Sequence, residues 1–394
     1  MKFNICLGSL IAFITLLLLF LSRPSLFGQN YATLAIILSF PLFLLLKDVK
    51  LKFWSMIYII AIILFWSSLL LSGLLHVSDS VRLAKSVISS IVPTLAVILA
   101  LSSEKYSLKF YNLLAFITAL CGYSALISNL LLFLLGGGGG DYIVFSIDIA
   151  DYKPALVYFP FTLSSGEINV LGNTFLRLTG YMREPGIFQA FSIFSFIYSK
   201  IYNMNKLIIL GSFLAVILTF SSVSFVLLLI SYSILISGRI KSYFLKLSIF
   251  IIGFITAFYI FIFLPGFGYL DKVRTHGASV TDRTTAINNS ITLFTENPFG
   301  VGYLANIENS TGNINLLASL SSIGIHIFFI FIAIYLLPIL FLHKSQLVRY
   351  LALTLPLFVT LLFSQPVFDQ PGIFVLFLSS ILLSETKPHP LMNS

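Results

Sequence analysis

Charged residues are scarce in this chain. Asp, Glu, Lys and Arg make up 9% of its 394 residues, whereas hydrophobic residues make up 58%. Soluble domains carry about 25% charged residues, so this composition excludes a soluble protein. It predicts an all-α, polytopic integral membrane protein, in which residues 1–394 form a single transmembrane domain.

Cysteine is nearly absent, and no metal-binding pattern replaces it. Cys6 and Cys121 both lie in apolar runs, which is typical of small buried hydrophobes rather than of a disulfide or a thiolate site. Asp148 and Asp151 have no third ligand at a suitable spacing. No metal or other cofactor is therefore predicted.

The apolar runs contain no Asp, Glu, Lys or Arg. An ion-coupled transporter needs such groups at membrane depth, so their absence disfavours that class and moves the chemistry into the loops. About twelve transmembrane helices are predicted, at residues 5–22, 31–46, 53–75, 86–101, 110–135, 186–199, 207–220, 223–237, 247–264, 314–340, 350–363 and 371–383.

The basic residues indicate the orientation of the chain. If the N-terminus is cytoplasmic and 207–237 is a helical hairpin turning at Ser221–Ser222, most of the 23 basic residues lie in short cytoplasmic loops. Both termini are then cytoplasmic. The net charge of +9 would face anionic lipid, so no nucleic acid partner is expected. The first run, which no small-residue cleavage site follows, is expected to be retained as a span.

Two long loops fall on the outer side in this topology. The first covers residues 136–185 and opens with five consecutive glycines, a flexible start that cannot continue a helix cheaply. The second covers residues 265–313. Loops of this length usually carry function, so candidate residues are sought there.

The end of the first loop combines arginines with a helix start. In FLRLTGYMREPGIFQAF (175–191), Pro185 suits the first turn of a helix, so Arg183 and Glu184 lie at its N-terminus and Arg177 lies just upstream. Two guanidiniums beside free helix N–H groups would bind a diphosphate well. The alternative is that these arginines reach lipid headgroups at a span end. The residues alone do not decide between the two.

The second loop holds a further group of polar residues. Arg274, His276 and Arg283 precede a tight turn at Gly300 and Gly302, and a short helix is predicted over 282–294, before that turn. Arg283 lies in the first turn of that helix, where a positive charge is unfavourable. A basic residue in such a place is a candidate ligand contact.

Several segments together resemble the bacterial O-antigen polymerase and O-antigen ligase superfamily. They are LRLTGYMREPGIFQAF, LTFSSVSFVLLL, RTTAINNSITLFTENPFGVGYL and GNINLLASLSSIGIHIFFIFI, and the specific matches cover about residues 171–230 and 283–330. The resemblance implies a GT-C-like fold in the bacterial inner membrane, with two long periplasmic loops.

The resemblance also implies a substrate, a glycan carried on undecaprenyl pyrophosphate at the periplasmic face. Arg177, Arg183, Arg274 and Arg283 would contact the pyrophosphate or glycan. Ligases often carry a His before the span that follows the second loop, whereas this chain has Asn313 and Asn315 there, which favours a polymerase. The hairpin tip also lacks the Arg that is frequent in the family. Membrane lipid and a chain-length regulator protein are the implied partners.

The expected reaction is an inverting, metal-independent glycosyl transfer. The acceptor hydroxyl attacks the anomeric carbon, and arginines neutralise the departing pyrophosphate. Glu184 is the first candidate for the general base and His276 the second, although Glu184 would serve equally to orient Arg183. Three alternatives remain: an O-antigen ligase, a lipid-linked oligosaccharide flippase or other transporter, and a non-catalytic scaffold.

Overall fold

The chain folds mainly into helices. The computed structural model describes residues 7–47, 49–76, 79–135, 139–149, 154–170, 173–238, 240, 242–263, 268, 277–304 and 315–385. Within these ranges the helices are α1 (Leu7–Leu21), α2 (Gly28–Leu45), α3 (Phe53–Leu74), α4 (Ser80–Leu101), α5 (Glu104–Leu135), α6 (Pro185–Ile201), α7 (Lys206–Leu218), α8 (Ser222–Ser237), α9 (Tyr243–Phe263), α10 (Gly277–Glu296), α11 (Leu320–Leu336), α12 (Lys344–Phe363), α13 (Pro371–Phe377) and α14 (Ser379–Glu385).

Six helices in the described ranges are long and apolar enough to cross a membrane: α3, α4, α5, α9, α12, and α11 with its 3₁₀ continuation to Leu340. The other predicted runs fall on shorter helices, such as α1 and α7. A membrane protein built from helices is therefore supported. The number of about twelve spans and the GT-C arrangement remain predictions.

Residues 207–237 form two helices, as the charge pattern predicted. The chain breaks between α7 and α8 at Thr219–Ser221, where Phe220 adopts a positive φ of 48°. A bulky residue in this conformation marks a sharp change of direction. The Phe220 ring packs 5.5 Å from that of Phe175. The turn thus lies within two residues of its expected position.

The first long loop folds into an antiparallel sheet that no pattern in the sequence had predicted. Its strands are β1 (Ile143–Ile147), β2 (Ala155–Tyr158), β3 (Thr162–Val170) and β4 (Asn173–Leu178), paired in chain order. Register shifts interrupt the β1–β2 and β3–β4 pairs. The protein is therefore not purely helical, because this sheet is added to the helical bundle.

The sheet is attached to the C-terminal part of α5. Leu176 of β4 and Tyr158 of β2 pack on Leu132 in a separate apolar cluster. Asn129, buried on α5, accepts a 2.7 Å hydrogen bond from the Leu176 N–H. A buried side chain thus satisfies a strand N–H that would otherwise lack a partner.

Two buried helices, α6 and α13, occupy the centre of the bundle. Nearly every residue of α6 up to Ser199 and all of α13 are buried. Each begins with the sequence Pro-Gly-Ile-Phe, with proline in the first turn, where no backbone N–H is required. The predicted helix start at Pro185 is confirmed.

The charged residues divide between two ends of the bundle. At one end, which we call the lysine end, Lys52 pairs with Glu385 and Lys109 bonds Ser9. At the other end, which we call the arginine end, four connections come together: 22–27, 179–184, 297–304 and 364–370. No membrane side is assigned to either end by these contacts.

Candidate functional site

Backbone hydrogen bonds join the first of these connections to its neighbours at the arginine end. The α1–α2 connection (22–27) lies between the β4–α6 connection (179–184) and the start of α13. The Leu26 N–H donates to Tyr181 O at 3.0 Å, and the Arg183 N–H donates to Pro24 O at 3.2 Å. On the other side the Gly372 N–H donates to Arg23 O at 2.9 Å. Backbone bonds therefore hold Arg23 and Arg183 next to the α12–α13 connection (364–370).

The α12–α13 connection packs closely against the first turn of α6. A Cβ atom at Gly186 would lie 2.8 Å from Nε2 of Gln365 in the α12–α13 connection. This atom is the end of a flexible side chain, so the contact shows that the Gln365 amide packs against the first turn of α6 and does not by itself require glycine.

The segment after α10 is fixed against the start of α11. The N–H groups of Val301 and Gly302 donate to Ser321 O and Ser322 O, at 2.9 and 3.0 Å. Gly300 has a φ of 87°, and a Cβ atom there would lie 2.4 Å from Ser322 O, so this turn requires glycine. The predicted tight turn is confirmed, and it fixes the residue that follows, Tyr303.

Tyr303 bonds an acidic residue of the α12–α13 connection. Its buried hydroxyl donates a 2.5 Å hydrogen bond to Oδ2 of Asp369, and Ser86 of α4 is a second hydrogen-bond partner of the same hydroxyl. Asp369 as a whole is half-buried, but its Oδ1 is enclosed and makes no hydrogen bond to another described residue. One carboxylate oxygen is thus held while the other remains available.

Arg23, Arg183 and Tyr303 all affect the pKa of the Asp369 carboxyl. Burial raises the pKa of the Asp369 carboxyl above its ordinary value, because the charged form loses hydration. The Tyr303 hydrogen bond and the positive charges of Arg23 and Arg183 oppose this rise. Two arginines from different connections therefore act on one carboxylate.

The Arg183 side chain is mostly buried in the protein. Its side chain is 12% exposed, and its Nε lies 3.8 Å from Oε1 of Glu184, whose side chain is 21% exposed. This burial argues against the alternative in which Arg183 reaches lipid headgroups. Glu184 makes no capping hydrogen bond at the start of α6, so its contact with Arg183 favours an orienting role.

Unsatisfied polar atoms surround these charges. Buried polar groups nearly always have a hydrogen-bond partner in folded proteins, so a concentration of unpaired ones marks atoms that can still bond water, an ion or a ligand. Among the described residues at this end, the enclosed side-chain atoms without a hydrogen bond are Ser22 Oγ, Arg23 Nε, Gln189 Oε1, Gln365 Oε1, Asp369 Oδ1 and Gln370 Oε1. The arrangement offers both donors and acceptors to a polar ligand.

The other predicted site residues are only partly located. Arg177 is half-buried on β4, on the strand face that carries Phe175 rather than the buried Leu176 and Leu178. Arg283 lies in α10, but its side chain is outside the described structure, as are Arg274 and His276 altogether. Their roles remain predictions.

Asn315 has a structural role. It stands where ligases of the family often carry a His, and it is buried. Its Oδ1 accepts from the Ala318 N–H at 2.8 Å, while its Nδ2 donates to Phe363 O at 3.3 Å. Because both ends of the amide are occupied by backbone groups, this side chain is not available to a substrate.

Sequence reasoning missed Arg23, Tyr303 and Asp369. One signal for Asp369 was present, because Arg-Glu-Pro-Gly-Ile-Phe at 183–188 is matched by Asp-Gln-Pro-Gly-Ile-Phe at 369–374. Two residues before the proline, one helix start has the positive Arg183 and the other the negative Asp369, and in the structure the Arg183 charge acts on Asp369. For Arg23 and Tyr303 we find no comparable signal.

Comparison with known proteins does not identify the chain. A scan against protein-family models and searches of curated proteins and of solved structures each return no match. The resemblance to the O-antigen polymerase and ligase superfamily therefore rests on the motifs quoted above.

Proposed function

We propose that the protein is a membrane glycosyltransferase of the polysaccharide-polymerase type. It would transfer a growing glycan from undecaprenyl pyrophosphate to the next lipid-linked repeat unit, in O-antigen, capsule or exopolysaccharide synthesis. The supporting observation is that Arg23 and Arg183, from separate connections, act on the same carboxylate, Asp369. Guanidiniums suit a diphosphate because each makes paired, charge-assisted bonds to phosphate oxygens.

The chemistry assigned to this site is a single displacement. A bond forms between the acceptor hydroxyl oxygen and the anomeric carbon, and the bond from that carbon to the diphosphate oxygen breaks. The acceptor proton passes to a protein base, and the lipid diphosphate leaves with the electron pair. Arg23 and Arg183 stabilise the charge that develops on this leaving group, so no step requires a metal. Attack from the opposite face inverts the anomeric centre.

Asp369 is the base that the geometry favours. Its carboxyl pKa is raised by burial, which increases its strength as a base, and its Oδ1 bonds no other described residue. Glu184, the base expected from the sequence, lies beside Arg183 and is better placed to orient that guanidinium. The proposal therefore gives Glu184 a positioning role and Asp369 the proton transfer.

An apolar crevice supports a lipid-linked substrate. It has a volume of about 330 Å³ between α8, α9 and α12, and all of its lining residues are apolar. Phe363 lies at one end of this lining and is the last residue of α12, only a short connection away from Asp369. A polyprenyl chain in the crevice would place its diphosphate toward the arginine end.

Chain growth by the purified protein tests the proposal. The substrate is undecaprenyl-pyrophosphate-linked repeat units extracted from a strain that makes a polymerised surface glycan but lacks this gene. We expect glycans of increasing length, with one lipid diphosphate released for every bond formed. An Arg183→Ala protein that reconstitutes equally well should produce neither.

The alternatives give different products in the same experiment. A flippase moves the lipid between leaflets of a liposome without lengthening the glycan. A ligase transfers the glycan to a lipid A core acceptor and does not extend lipid-linked units. A scaffold does none of these by itself. Reconstituted protein that binds the lipid-linked unit but releases no lipid diphosphate would overturn the proposal.

A further inference from the structure

The β2–β3 hairpin tip lies beside α5, well before that helix ends. Phe159, Pro160 and Phe161 form the tip, between Tyr158 of β2 and Thr162 of β3. The Ser128 hydroxyl donates a 2.5 Å hydrogen bond to Phe159 O, and the Ser124 hydroxyl lies 2.9 Å from that of Thr162. These contacts fix the tip at the level of Ser124–Ser128.

The lipid-facing surface of α5 continues past this level. A stripe of exposed apolar side chains follows the helical repeat, at Phe116, Leu120, Ile127, Leu130 and Leu134. At 1.5 Å per residue the stripe extends roughly 27 Å, close to the thickness of a hydrocarbon core. Along the helix axis, the tip at Ser124–Ser128 therefore lies about 9–15 Å before Leu134, the last residue of this stripe.

The tip itself exposes large apolar side chains. Phe161 is 78% exposed and Phe159 is 56% exposed. The start of β1, which pairs with Tyr158 of β2, adds the exposed side chains of Ile143, Val144 and Phe145. An exposed apolar patch of this kind marks an interaction surface, and phenylalanine is typical of the buried face of segments that lie in the membrane interface.

We propose that the β2–β3 hairpin is a membrane anchor whose tip inserts into one lipid leaflet beside α5. The occupant of the patch is lipid, because the patch continues an apolar surface that belongs to a candidate membrane span. Lipid offers no hydrogen bonds to backbone groups, and at the tip both groups of Phe159 are bonded within the protein. The Ser128 hydroxyl donates to Phe159 O, and the Phe159 N–H donates to Tyr142 O at 3.1 Å. Asp141 is exposed just before Tyr142, at the tip end of the sheet, so its carboxylate must reach the headgroup region when the tip is inserted.

The anchor has a consequence for the site. Strand β4 leads directly into the connection that carries Arg183, and β4 belongs to the anchored sheet. A tip held in the leaflet would fix the height of the sheet, and with it the height of this connection. This inference stands on the exposed patch alone and does not require the proposed glycosyl transfer.

Collision accessibility of spin labels tests the insertion. Single cysteines are placed at Phe161, Val144 and Glu167 in a protein whose own Cys6 and Cys121 are replaced by serine and alanine. Each protein is labelled with a nitroxide and reconstituted in 3:1 phosphatidylethanolamine–phosphatidylglycerol liposomes. Glu167 is the matched control, because it is exposed on β3 five residues beyond Thr162 and away from the tip.

We expect labels at Phe161→Cys and Val144→Cys to collide more often with oxygen, which concentrates in lipid, than with a water-soluble nickel complex. The label at Glu167→Cys should show the reverse. Equal nickel accessibility at all three sites would overturn the proposal. If a cysteine variant does not fold, Phe161→Trp serves instead: its additional fluorescence should be quenched by brominated lipid in the same liposomes, and unquenched fluorescence would also reject the insertion.

Discussion

The Tyr303 hydroxyl donates a 2.5 Å hydrogen bond to Oδ2 of Asp369, across 66 positions of sequence. The bond joins the segment after α10 to the α12–α13 connection and orients the carboxylate. Oδ1 bonds no other described residue, and two arginine charges act on the group. A carboxylate held by one oxygen, with the other available and its pKa raised, is suited to accept a proton.

Replacement of Asp369 should remove proton transfer and leave lipid binding intact. We expect Asp369→Asn to slow chain elongation by about 10²–10⁴-fold, the contribution typical of a positioned general base. Native mass spectrometry should still show bound undecaprenyl pyrophosphate. Asp148→Asn, a matched change at an exposed position, should elongate at the normal rate. Elongation by Asp369→Asn within twofold of the unmodified protein would exclude Asp369 as the base.

Loss of the Tyr303 hydroxyl should change the pH dependence in a defined direction. The base acts as a carboxylate, so elongation increases as the pH rises through the Asp369 pKa. The Tyr303 hydrogen bond and the Arg23 charge favour the carboxylate and lower this pKa. Tyr303→Phe and Arg23→Gln should therefore each shift the acidic limb of the rate profile to higher pH.

The profile is measured on purified protein over the full acidic range. Tyr31→Phe is the control, since Tyr31 is exposed at the start of α2. An acidic limb of Tyr303→Phe that stays in place, or that moves to lower pH, contradicts the assignment of the limb to Asp369.

The two arginines should be required individually. We expect Arg23→Ala and Arg183→Ala each to lower the elongation rate by about 10²–10³-fold, the usual loss when one stabilising donor is removed from a charged transition state. The lysine variants keep the charge but lose the paired geometry, so intermediate rates are expected. Inorganic pyrophosphate should also inhibit the alanine variants less strongly.

Lys52→Ala is the control for charge alone, because Lys52 pairs with Glu385 at the lysine end. The Lys52 side chain is 48% exposed and lies far from the arginine end, so we expect the variant to remain folded and active. Equal losses in Lys52→Ala and Arg183→Ala would indicate a general electrostatic effect and not a local contact.

Local patterns predicted the parts of the fold that local physics determines. Pro185 starts α6 because proline at this position sacrifices no hydrogen bond. The turn at Gly300 was likewise expected from residues within a few positions. The break between α7 and α8 was predicted differently, from the distribution of basic residues over the whole chain.

The site and the sheet depend on contacts between distant segments. Asp369 lies in a short connection between two apolar runs, and only its contacts with Tyr303, Arg23 and Arg183 make it a candidate base. The sheet was missed because β2 is only four residues long and the pairing registers are interrupted. Such partners are set by tertiary packing, so a single sequence leaves them undetermined.

Asn129 should be the residue on which attachment of the sheet most depends. Its Oδ1 accepts from the Leu176 N–H and its Nδ2 donates to Ala125 O at 2.9 Å, so it joins β4 to α5. Asn129→Ala leaves the Leu176 N–H buried without its partner, at a cost of about 1–3 kcal/mol. Because the helical core does not share this contact, we expect the sheet to open locally while the bundle remains folded.

Limited proteolysis in liposomes measures this local opening. Cleavage within residues 139–178 should be faster in Asn129→Ala, whereas cleavage elsewhere should be unchanged. Asn169→Ala is the matched control, because Asn169 bonds Thr174 at an exposed position of the β3–β4 pair. Asn129→Ala should also slow elongation, since β4 leads directly to Arg183. Normal cleavage together with normal elongation would show that the apolar contacts of Leu132 hold the sheet without Asn129.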